Sequence, residues 1–308
     1  MNISFIIPVL NGEKYILRCV ESIQSEMKPY DEIIVVDNGS TDNTVRIVES
    51  FGNMKLSIYP KVTISALRNR GKDFSNNPLL AFIDSDCVLC AGWRHQVLDV
   101  FKDLTIHAAG SRYDIPDDAC WIEKAWFSQK SLKKTRARYI NSGNLVVRRI
   151  AFEAVNGFDE SLITDEDCDF GERFNDAGFF MLEDPGIRVI HLGNPKTLMA
   201  FYKKEKWHSS SVFSSRLSAI FNRTTMISIL FGITLLISIM CIVGSIWVNV
   251  KLLWGVLFVP LIPLIAAIYR SHQFRNYKYI LELTLLWGVS FWVRIASITN
   301  QMFPTVEA

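Results

Sequence analysis

Two aspartates separated by one serine, Asp84 and Asp86, follow the apolar run Leu79–Ile83. Such a run, stopped by acids, is typical of a buried parallel strand whose carboxyl end opens into a crevice. Ligands bind at that edge of open α/β sheets. Carboxylates at this spacing can hold a divalent cation, which in turn can clamp a diphosphate. The alternative is structural, because acids at strand ends are often solvated or cap the next helix.

A second acidic group, Glu166 and Asp167, stands at the start of a predicted helix over 166–178. One positioned carboxylate there could deprotonate a hydroxyl nucleophile. The same acids, with Thr164 before them, could instead cap the helix and favour its dipole. The distance in sequence between the two acidic groups fits separate tasks, one for a metal and one for a base.

Two histidines are candidates for a metal ligand beside the acids. His191 ends the apolar strand 187–190, and His208 stands in the basic segment KKEKWHSSS. A single histidine at the end of a strand is often a structural residue, and it is also a common metal ligand. Both interpretations stay open for His191, with His208 as its rival.

Strand and helix patterns alternate before Asp84. The predicted strands are Ile3–Val9, Ile33–Val36, Leu56–Tyr59 and Leu79–Ile83. The predicted helices between them carry Ile16, Leu17, Val20 and Ile23, then Val45, Ile47 and Val48, then residues 65–74. This alternation predicts a doubly wound, mostly parallel α/β sheet with right-handed crossovers. Asp37 and Asp84 then lie at carboxyl ends of strands and face one crevice.

Several motifs in order resemble a known family. They are FIIPVLNGEKYI, EIIVVDNGSTDNT, ALRNRGKD, LLAFIDSDC, NSGNLVVRRIAFEAVNGFDE, TDEDCDFGERFNDAG and VIHLG. Over roughly residues 1 to 210 the chain resembles the family 2 glycosyltransferases, whose nucleotide-diphospho-sugar transferase fold is called GT-A. Motifs in this order are much more specific than any one of them alone.

The resemblance implies a donor site built on the first three loops. Asp37 matches the acid that receives the base and ribose, and Pro8 and Asn11 fall in the first loop around that base. Arg68 matches an arginine near the nucleotide. The lead-in to that arginine, KVTISALRNRG, lacks the glycine usual in the family.

The resemblance also implies a metal and a base. Asp86 is expected to bind Mn²⁺ or Mg²⁺ directly, and Asp84 to lie nearer the ribose as a second metal residue. His191 falls where family members often carry a histidine near the metal or diphosphate. Asp167, with Glu166 before it, matches the catalytic base that deprotonates the acceptor.

These residues predict a transferase that moves a sugar from a nucleotide-diphosphate donor to a hydroxyl acceptor. The family implies direct, inverting displacement, assisted by the metal. A sugar nucleotidyltransferase is one alternative, but PVLNGEKY has one glycine and no arginine for its phosphate loop. A non-catalytic membrane scaffold is the other, and it would have lost at least one key acid, whereas Asp37, Asp84, Asp86 and Asp167 are all present.

Composition changes sharply in the last third of the chain. We expect a cytoplasmic catalytic domain over residues 1–215 and a membrane region over 216–308, with helices near 225–248, 252–269 and 279–298. The first two stretches carry no charge and are long enough to span a bilayer. The third contains Glu282 and Arg294, so spanning, re-entrant and interfacial interpretations remain open.

The distribution of charge predicts the orientation. Basic residues cluster between the second and third stretches and before the first, at Arg270, His272, Arg275, Lys278, Lys203, Lys204, Lys206, Arg216 and Arg223. Positive residues stay in the cytoplasm and attract anionic lipids. We therefore expect a multi-pass protein of the bacterial inner membrane, acting on a glycan or polyprenyl-linked acceptor. A net charge of +2 excludes a strongly basic nucleic-acid protein, and the six cysteines suit reduced thiols.

Overall fold

The computed structural model describes residues 1–128, 133–209, 223–247 and 250–302. The chain forms two compact units that do not follow chain order. The first contains Met1–Asp117 and Gln129–Asn194, and the second contains Asp118–Ser128 and Pro195–Ala308. The domain boundary expected near residue 215 lies outside the described residues.

The first half of the first unit is a run of parallel strands linked by helices. Its elements are β1 (Ile3–Val9), α1 (Ile16–Glu26), β2 (Glu32–Asp37), α2 (Thr44–Glu49), β3 (Lys55–Ile58), α3 (Ile64–Asp73) and β4 (Leu79–Ile83). Strand β1 lies between β2 and β4 and is parallel to both, and β3 extends the sheet beyond β2. Each strand and helix predicted from the sequence in this part is confirmed to within a few residues.

The remaining elements of the first unit complete the sheet. They are β5 (Cys87–Leu89), α4 (Trp93–Val100), β6 (Ala108–Gly110), β7 (Thr135–Arg136), β8 (Asn144–Arg148), α5 (Arg149–Ala154), α6 (Glu166–Asp176), β9 (Met181–Glu183) and β10 (Val189–His191). The eight-stranded sheet has the order β3-β2-β1-β4-β8-β6-β9-β7, and β5 pairs with β10 separately. Strand β8 is antiparallel to β4 and β6, so the sheet is mixed but mostly parallel, as predicted from the sequence.

Both faces of the central strands are covered, which explains their continuous apolar sequences. All residues of β1 and β4 are buried. On one face Phe82 packs against Phe152 and Phe158, with each pair of ring centroids 5.2 Å apart. One prediction from the helical spacing is wrong. Leu17 shares the apolar spacing of α1, but its side chain is 45% exposed.

The second unit is helical. It contains a π-helical turn at Glu123–Phe127, α7 (Leu198–His208), α8 (Arg223–Trp247), a 3₁₀ helix at Val250–Phe258, α9 (Leu261–Phe274) and α10 (Ile280–Met302). Three stretches are long and apolar enough to cross a membrane, namely Thr224–Ile246, Trp254–Phe274 and Ile280–Asn300. The third stretch, left open by the sequence, therefore forms one continuous helix of sufficient length.

Inside this unit, the segment 118–128, which interrupts the first unit in the chain, packs on the last two helices. Ile122 and Ala125 form a buried cluster with Phe201 of α7, Ala267 of α9 and Leu286 of α10. The segment 118–128 thus belongs structurally with elements that follow it by many residues in the chain.

Candidate active site

A buried arginine joins the two acidic groups that the sequence singled out. Arg68 of α3 donates from Nη2 to Asp84 Oδ1 at 2.8 Å and from Nη1 to Glu166 Oε1 at 2.7 Å. Its side chain is only 3% exposed. Ser142 Oγ donates to the same Glu166 oxygen at 3.0 Å. Arg68 therefore ties the carboxyl end of β4 to the start of α6, and Glu166 is committed to that contact.

Asp86 points to a different partner. Its Oδ2 lies 3.4 Å from His191 Nε2, because β10 pairs with β5 and brings His191 opposite Cys87. The candidate ligand atoms of Asp86, Cys87 and His191 all lie within 4.8 Å of one another. Neither Asp84 nor His208 belongs to this group, and His208 lies on α7 in the second unit.

The donor set beside Asp86 fits a divalent cation. A carboxylate oxygen and an imidazole nitrogen suit Mn²⁺, and oxygen ligands suit Mg²⁺. Burial and the neighbouring carboxylates raise the pKa of the Cys87 thiol well above its usual range, so the thiol stays neutral. Gly193 leaves the space that the carboxylate occupies, since a Cβ there would lie 1.8 Å from Asp86 Oδ2.

Two loops at the carboxyl ends of β1 and β2 are fastened together. Asn11 N donates to Ser40 Oγ, and Thr41 N donates to Asn11 Oδ1, both at 2.8 Å. Asn11 adopts a left-handed conformation with φ of 51°, which asparagine tolerates well. Pro8, at the end of β1, is buried.

Asp37 organises the second of these loops. Its Oδ2 accepts hydrogen bonds from the backbone N–H groups of Gly39 and Ser40, both at 2.8 Å, and Ser40 Oγ donates to Oδ1. The residue is fully buried. In this structure Asp37 therefore shapes the loop at the donor crevice, and its expected contact with the base stays a prediction.

Asp167 stands beside the Arg68 contact but has a different environment. Partial burial, and secondarily the negative charge of Glu166, raise the pKa of Asp167 to about 7, while Arg68 opposes the shift. The backbone N–H of Cys168 donates to its Oδ1 at 2.8 Å. A carboxyl group that titrates near neutral pH can accept a proton in one step and release it in another.

Tyr113 is a site residue that the sequence analysis missed. Its Oη accepts a hydrogen bond from Gly143 N at 3.2 Å and lies 3.5 Å from Asp84 Oδ2. Its ring centroid is 4.9 Å from that of His191. Tyr113 thus lies between Asp84, which Arg68 holds, and His191, which faces Asp86. No local motif marks it, because its neighbours come from three different segments.

The comparison with protein families decides the identity of this arrangement. The model of "Glycosyl transferase family 2" matches residues 4–154, which include both fastened loops, Arg68 and the Asp84–Asp86 pair. The chain carries a family 2 glycosyltransferase domain. The resemblance seen in the sequence is thereby confirmed, and the protein is a transferase.

Named relatives agree with this assignment. The transferase is 29% identical over 205 residues to the glycosyltransferase AglE of Haloferax volcanii, covering 63% of this chain and 67% of AglE. It is 28% identical over 191 residues to the chondroitin synthase of Escherichia coli, covering 58% of this chain and 27% of the synthase. This chain thus spans about a quarter of the synthase.

A solved structure supports the fold. The mannosyltransferase PcManGT of Pyrobaculum calidifontis, in complex with GDP-Man and Mn²⁺, superposes with a TM-score of 0.60 at 14% identity. The match covers 98% of the transferase and 87% of PcManGT. At this identity the likeness shows a shared GT-A-like architecture.

Proposed function

We propose that the transferase moves a sugar from a nucleotide-diphosphate donor to a hydroxyl of a lipid-linked or envelope-glycan acceptor, by metal-assisted inverting displacement. One observation carries the proposal: Arg68 occupies Asp84 and Glu166 together and leaves the neighbouring Asp167 with a pKa of about 7. Of the two neighbouring acids, Glu166 is thereby a structural residue and Asp167 is the candidate base.

The donor would lie along the carboxyl edge of the parallel strands. The loops of Asn11 and Asp37 would receive the base and ribose, and Asp84, held by Arg68, would lie nearer the ribose. Asp86 and His191 would hold Mn²⁺ or Mg²⁺. When bound, the cation stabilises the negative charge that grows on the departing diphosphate.

Asp167 would act on the acceptor. Its carboxylate takes the proton of the acceptor hydroxyl as the oxygen attacks the anomeric carbon of the sugar. The bond from that carbon to the diphosphate oxygen breaks on the opposite side, so the anomeric configuration inverts. Glu166 is a weaker candidate for this task, because Arg68 and Ser142 already occupy Oε1.

The membrane helices support an acceptor at the lipid surface. Three stretches have the length and composition of spans, and the basic residues between α9 and α10 favour a cytoplasmic face. We place the protein in the bacterial inner membrane with its catalytic unit in the cytoplasm. Of the clustered basic residues, Arg216 lies outside the described residues.

Ligand-dependent stabilisation tests the proposal. Purified protein is heated with each of a panel of nucleotide sugars, with and without Mn²⁺, because a ligand that binds the native state raises Tm by mass action. The correct donor should raise Tm only with metal, and Asp86→Asn should abolish the shift. Asp117→Asn, on an exposed carboxylate, is the matched control. Equal stabilisation of wild type and Asp86→Asn would contradict the metal-dependent donor site.

The same preparation separates the alternatives. A transferase releases a nucleoside diphosphate only when an acceptor is present or when water slowly replaces it. A sugar nucleotidyltransferase would instead consume a nucleoside triphosphate and a sugar 1-phosphate and release inorganic pyrophosphate, and a scaffold would release neither pyrophosphate nor a nucleoside diphosphate.

A further inference from the structure

A half-exposed tyrosine of the first unit lies against the helix that carries the candidate base. Tyr139 comes between β7 and β8 and is 45% exposed, whereas Ala137 before it and Ile140 after it are buried. The backbone before it is also anchored, since Ala137 N donates to Met181 O of β9 at 2.9 Å. Buried neighbours therefore fix the position of a side chain whose own surface is about half open to solvent.

The backbone at Tyr139 packs directly on α6. A Cβ built on Gly171 of that helix would lie 2.6 Å from Tyr139 Cβ and 2.5 Å from the backbone oxygen of Arg138, so only glycine allows this approach. Two further contacts hold the segment on the same helix: Asn175 Nδ2 donates to Arg138 O at 3.0 Å, and Arg138 Nη2 lies 2.7 Å from Glu172 Oε1. Tyr139 is therefore fastened to α6.

Gly171 stands one helical turn after Asp167. Residues four apart share a face of an α-helix, so the Asp167 side chain and the point where Tyr139 packs lie on one face of α6. The phenol hydroxyl reaches the same end of the helix: partial burial, and then the Cys168 thiol and the Asp167 carboxylate, raise the pKa of Tyr139 to about 12. The Tyr139 side chain thus runs from Gly171 toward the start of α6, where the candidate base lies.

A different tyrosine approaches Asp167 from the metal side. Tyr113 Oη lies 3.5 Å from Asp84 Oδ2, and burial, followed by neighbouring negative charges that include Asp167, raises the pKa of Tyr113 well above its usual range. Asp167 is thus within range of one tyrosine at the donor crevice and of another fastened to α6. In a direct displacement the acceptor attacks opposite the departing diphosphate, so it cannot arrive from the metal side. The approach along α6, beside Tyr139, is the one left for it.

The chemistry at this place suits a sugar ring. An aromatic ring has a negative π face, whereas one face of a pyranose presents several C–H groups and its hydroxyls project from the rim. Stacking therefore leaves a hydroxyl within reach of a carboxylate beside the ring. A phosphate group fits poorly, because the first turn of α6 carries three acids, Glu166, Asp167 and Asp169, which repel an anion.

We infer that Tyr139 is the stacking surface for a sugar ring of the acceptor and directs one hydroxyl of that sugar to Asp167. The identification of this sugar as the acceptor rests on the proposed function, whereas the binding of a sugar by Tyr139 does not. Tyr139 then acts on specificity, because it admits a pyranose with an open C–H face and places one hydroxyl at the base. The surface exists before the ligand binds, since the close contact with Gly171 holds the backbone beneath it, and such preorganisation lowers the entropic cost of binding.

Saturation-transfer NMR on the full-length protein tests this surface, in a detergent without a sugar headgroup and without donor. The probes are the methyl β-glycosides of glucose, galactose and N-acetylglucosamine and methyl α-mannoside, each titrated to obtain Kd. Farnesyl phosphate is the probe that carries no sugar. At least one glycoside should bind, with the strongest transfer to the C–H protons of one pyranose face. That sugar is then compared with its farnesyl phosphodiester: tighter binding of the diester assigns a lipid-linked acceptor, and equal binding assigns the end of a free glycan.

Matched variants isolate the aromatic face. Tyr139→Leu keeps apolar bulk and removes the ring, so it should weaken glycoside binding about tenfold. Tyr139→Gln is a second ring-free variant, suited to a half-exposed position, and should behave in the same way. Tyr139→Phe keeps the ring and should bind within about twofold of the wild type. Tyr30→Leu is the control: Tyr30 is 78% exposed and precedes β2, at the amino end of that strand, so its loss should leave binding unchanged.

The outcomes are distinct. Glycoside binding that is weakened in Tyr139→Leu and Tyr139→Gln, and kept in Tyr139→Phe and Tyr30→Leu, supports the stacking surface. Wild-type binding in both ring-free variants overturns it, as does the failure of every glycoside to bind. Farnesyl phosphate that binds through Tyr139 in place of the glycosides overturns the sugar assignment.

A kinetic measurement separates this inference from the proposed function. With the donor found by thermal stabilisation and the tightest glycoside as acceptor, Tyr139→Leu should raise the acceptor KM about tenfold and change kcat less. Transfer with a wild-type acceptor KM in Tyr139→Leu would overturn the stacking surface and leave the transferase intact. Binding that depends on Tyr139, without transfer by the wild type to any sugar of the panel, would overturn the proposed function and leave the sugar surface intact.

Discussion

Gly193→Ala should damage the metal site while leaving the fold almost unchanged. A Cβ at position 193 would lie 1.8 Å from Asp86 Oδ2 and 2.8 Å from its Cγ, whereas Cβ atoms essentially never approach other heavy atoms within 3.0 Å. The carboxylate must therefore move by about 1.2 Å or rotate away. It would then lose its position 3.4 Å from His191 Nε2.

The expected magnitude follows from that displacement. A shift of about 1 Å in a reacting or binding group can reduce activity about 10²-fold, and we expect a similar fall in turnover. The cost in folding should be small, about 1 kcal/mol or less, because Asp86 is a flexible side chain with partial access to water and can rotate rather than strain the core.

Gly178→Ala provides a control with the opposite signature. Gly178 follows α6 with φ of +83°, and nothing lies within 4 Å of a Cβ added there. An alanine with this conformation costs about 1–2 kcal/mol but touches no part of the site. Its unfolding free energy should fall while metal binding and turnover stay at wild-type levels.

Three measurements compare the two variants. Urea unfolding gives stability, electron paramagnetic resonance gives the Mn²⁺ affinity with a nucleoside diphosphate present, and product release gives turnover. Gly193→Ala protein that binds Mn²⁺ and turns over like the wild type would refute the proposed role of Asp86 and of the space that Gly193 leaves for it.

Three further predictions concern the neighbouring side chains. Turnover should rise with pH through about 7, because Asp167 must lose its proton before it can act as a base. Since the fold raises the pKa of Asp167, ionisation of this carboxyl group destabilises the native state as pH rises. Asp167→Asn should therefore raise Tm more at pH 8 than at pH 5. Arg68→Met should lower the unfolding free energy by about 3–5 kcal/mol, since it leaves the buried carboxylate of Glu166 and the partly exposed carboxylate of Asp84 without their partner; urea titration measures this. Tyr113→Phe should fold normally but weaken Mn²⁺-dependent nucleotide binding only about two- to fivefold, since the 3.5 Å contact of its hydroxyl with Asp84 Oδ2 is a weak hydrogen bond of about 0.5–1 kcal/mol. Isothermal titration calorimetry measures this affinity, and wild-type affinity would contradict the role of Tyr113.

Local sequence patterns were enough to predict the first half of the catalytic unit. Continuous apolar runs such as Leu79–Ile83 occur because both faces of that strand are covered, and the acids that end the strand lie at its carboxyl edge for the same reason. His191 lies 3.4 Å from Asp86, and its role beside the metal stays a prediction. The prediction that Leu17 lies on the buried face of α1 was wrong, because spacing alone does not show how wide the covered face of a helix is.

Contacts between distant segments were beyond the reach of those patterns. Arg68 meets Glu166 across 98 residues, and Tyr113 meets Gly143 and His191 only through strand pairing. Spacing could not show that Glu166 is committed to Arg68 while Asp167 is not. Nor could it show that residues 118–128 belong with the C-terminal helices, because their partners come from α7, α9 and α10.

Side-by-side measurement of donor affinity and turnover in Asp167→Asn tests the central claim most directly. The variant keeps the shape of the side chain, and the loss of a positioned general base typically costs about 10²–10⁴ in rate. The account predicts a turnover at least about 10²-fold below wild type, with metal-dependent donor affinity nearly unchanged. Wild-type turnover, or a donor affinity that falls in step with the rate, would contradict the assignment of Asp167 as the base that activates the acceptor.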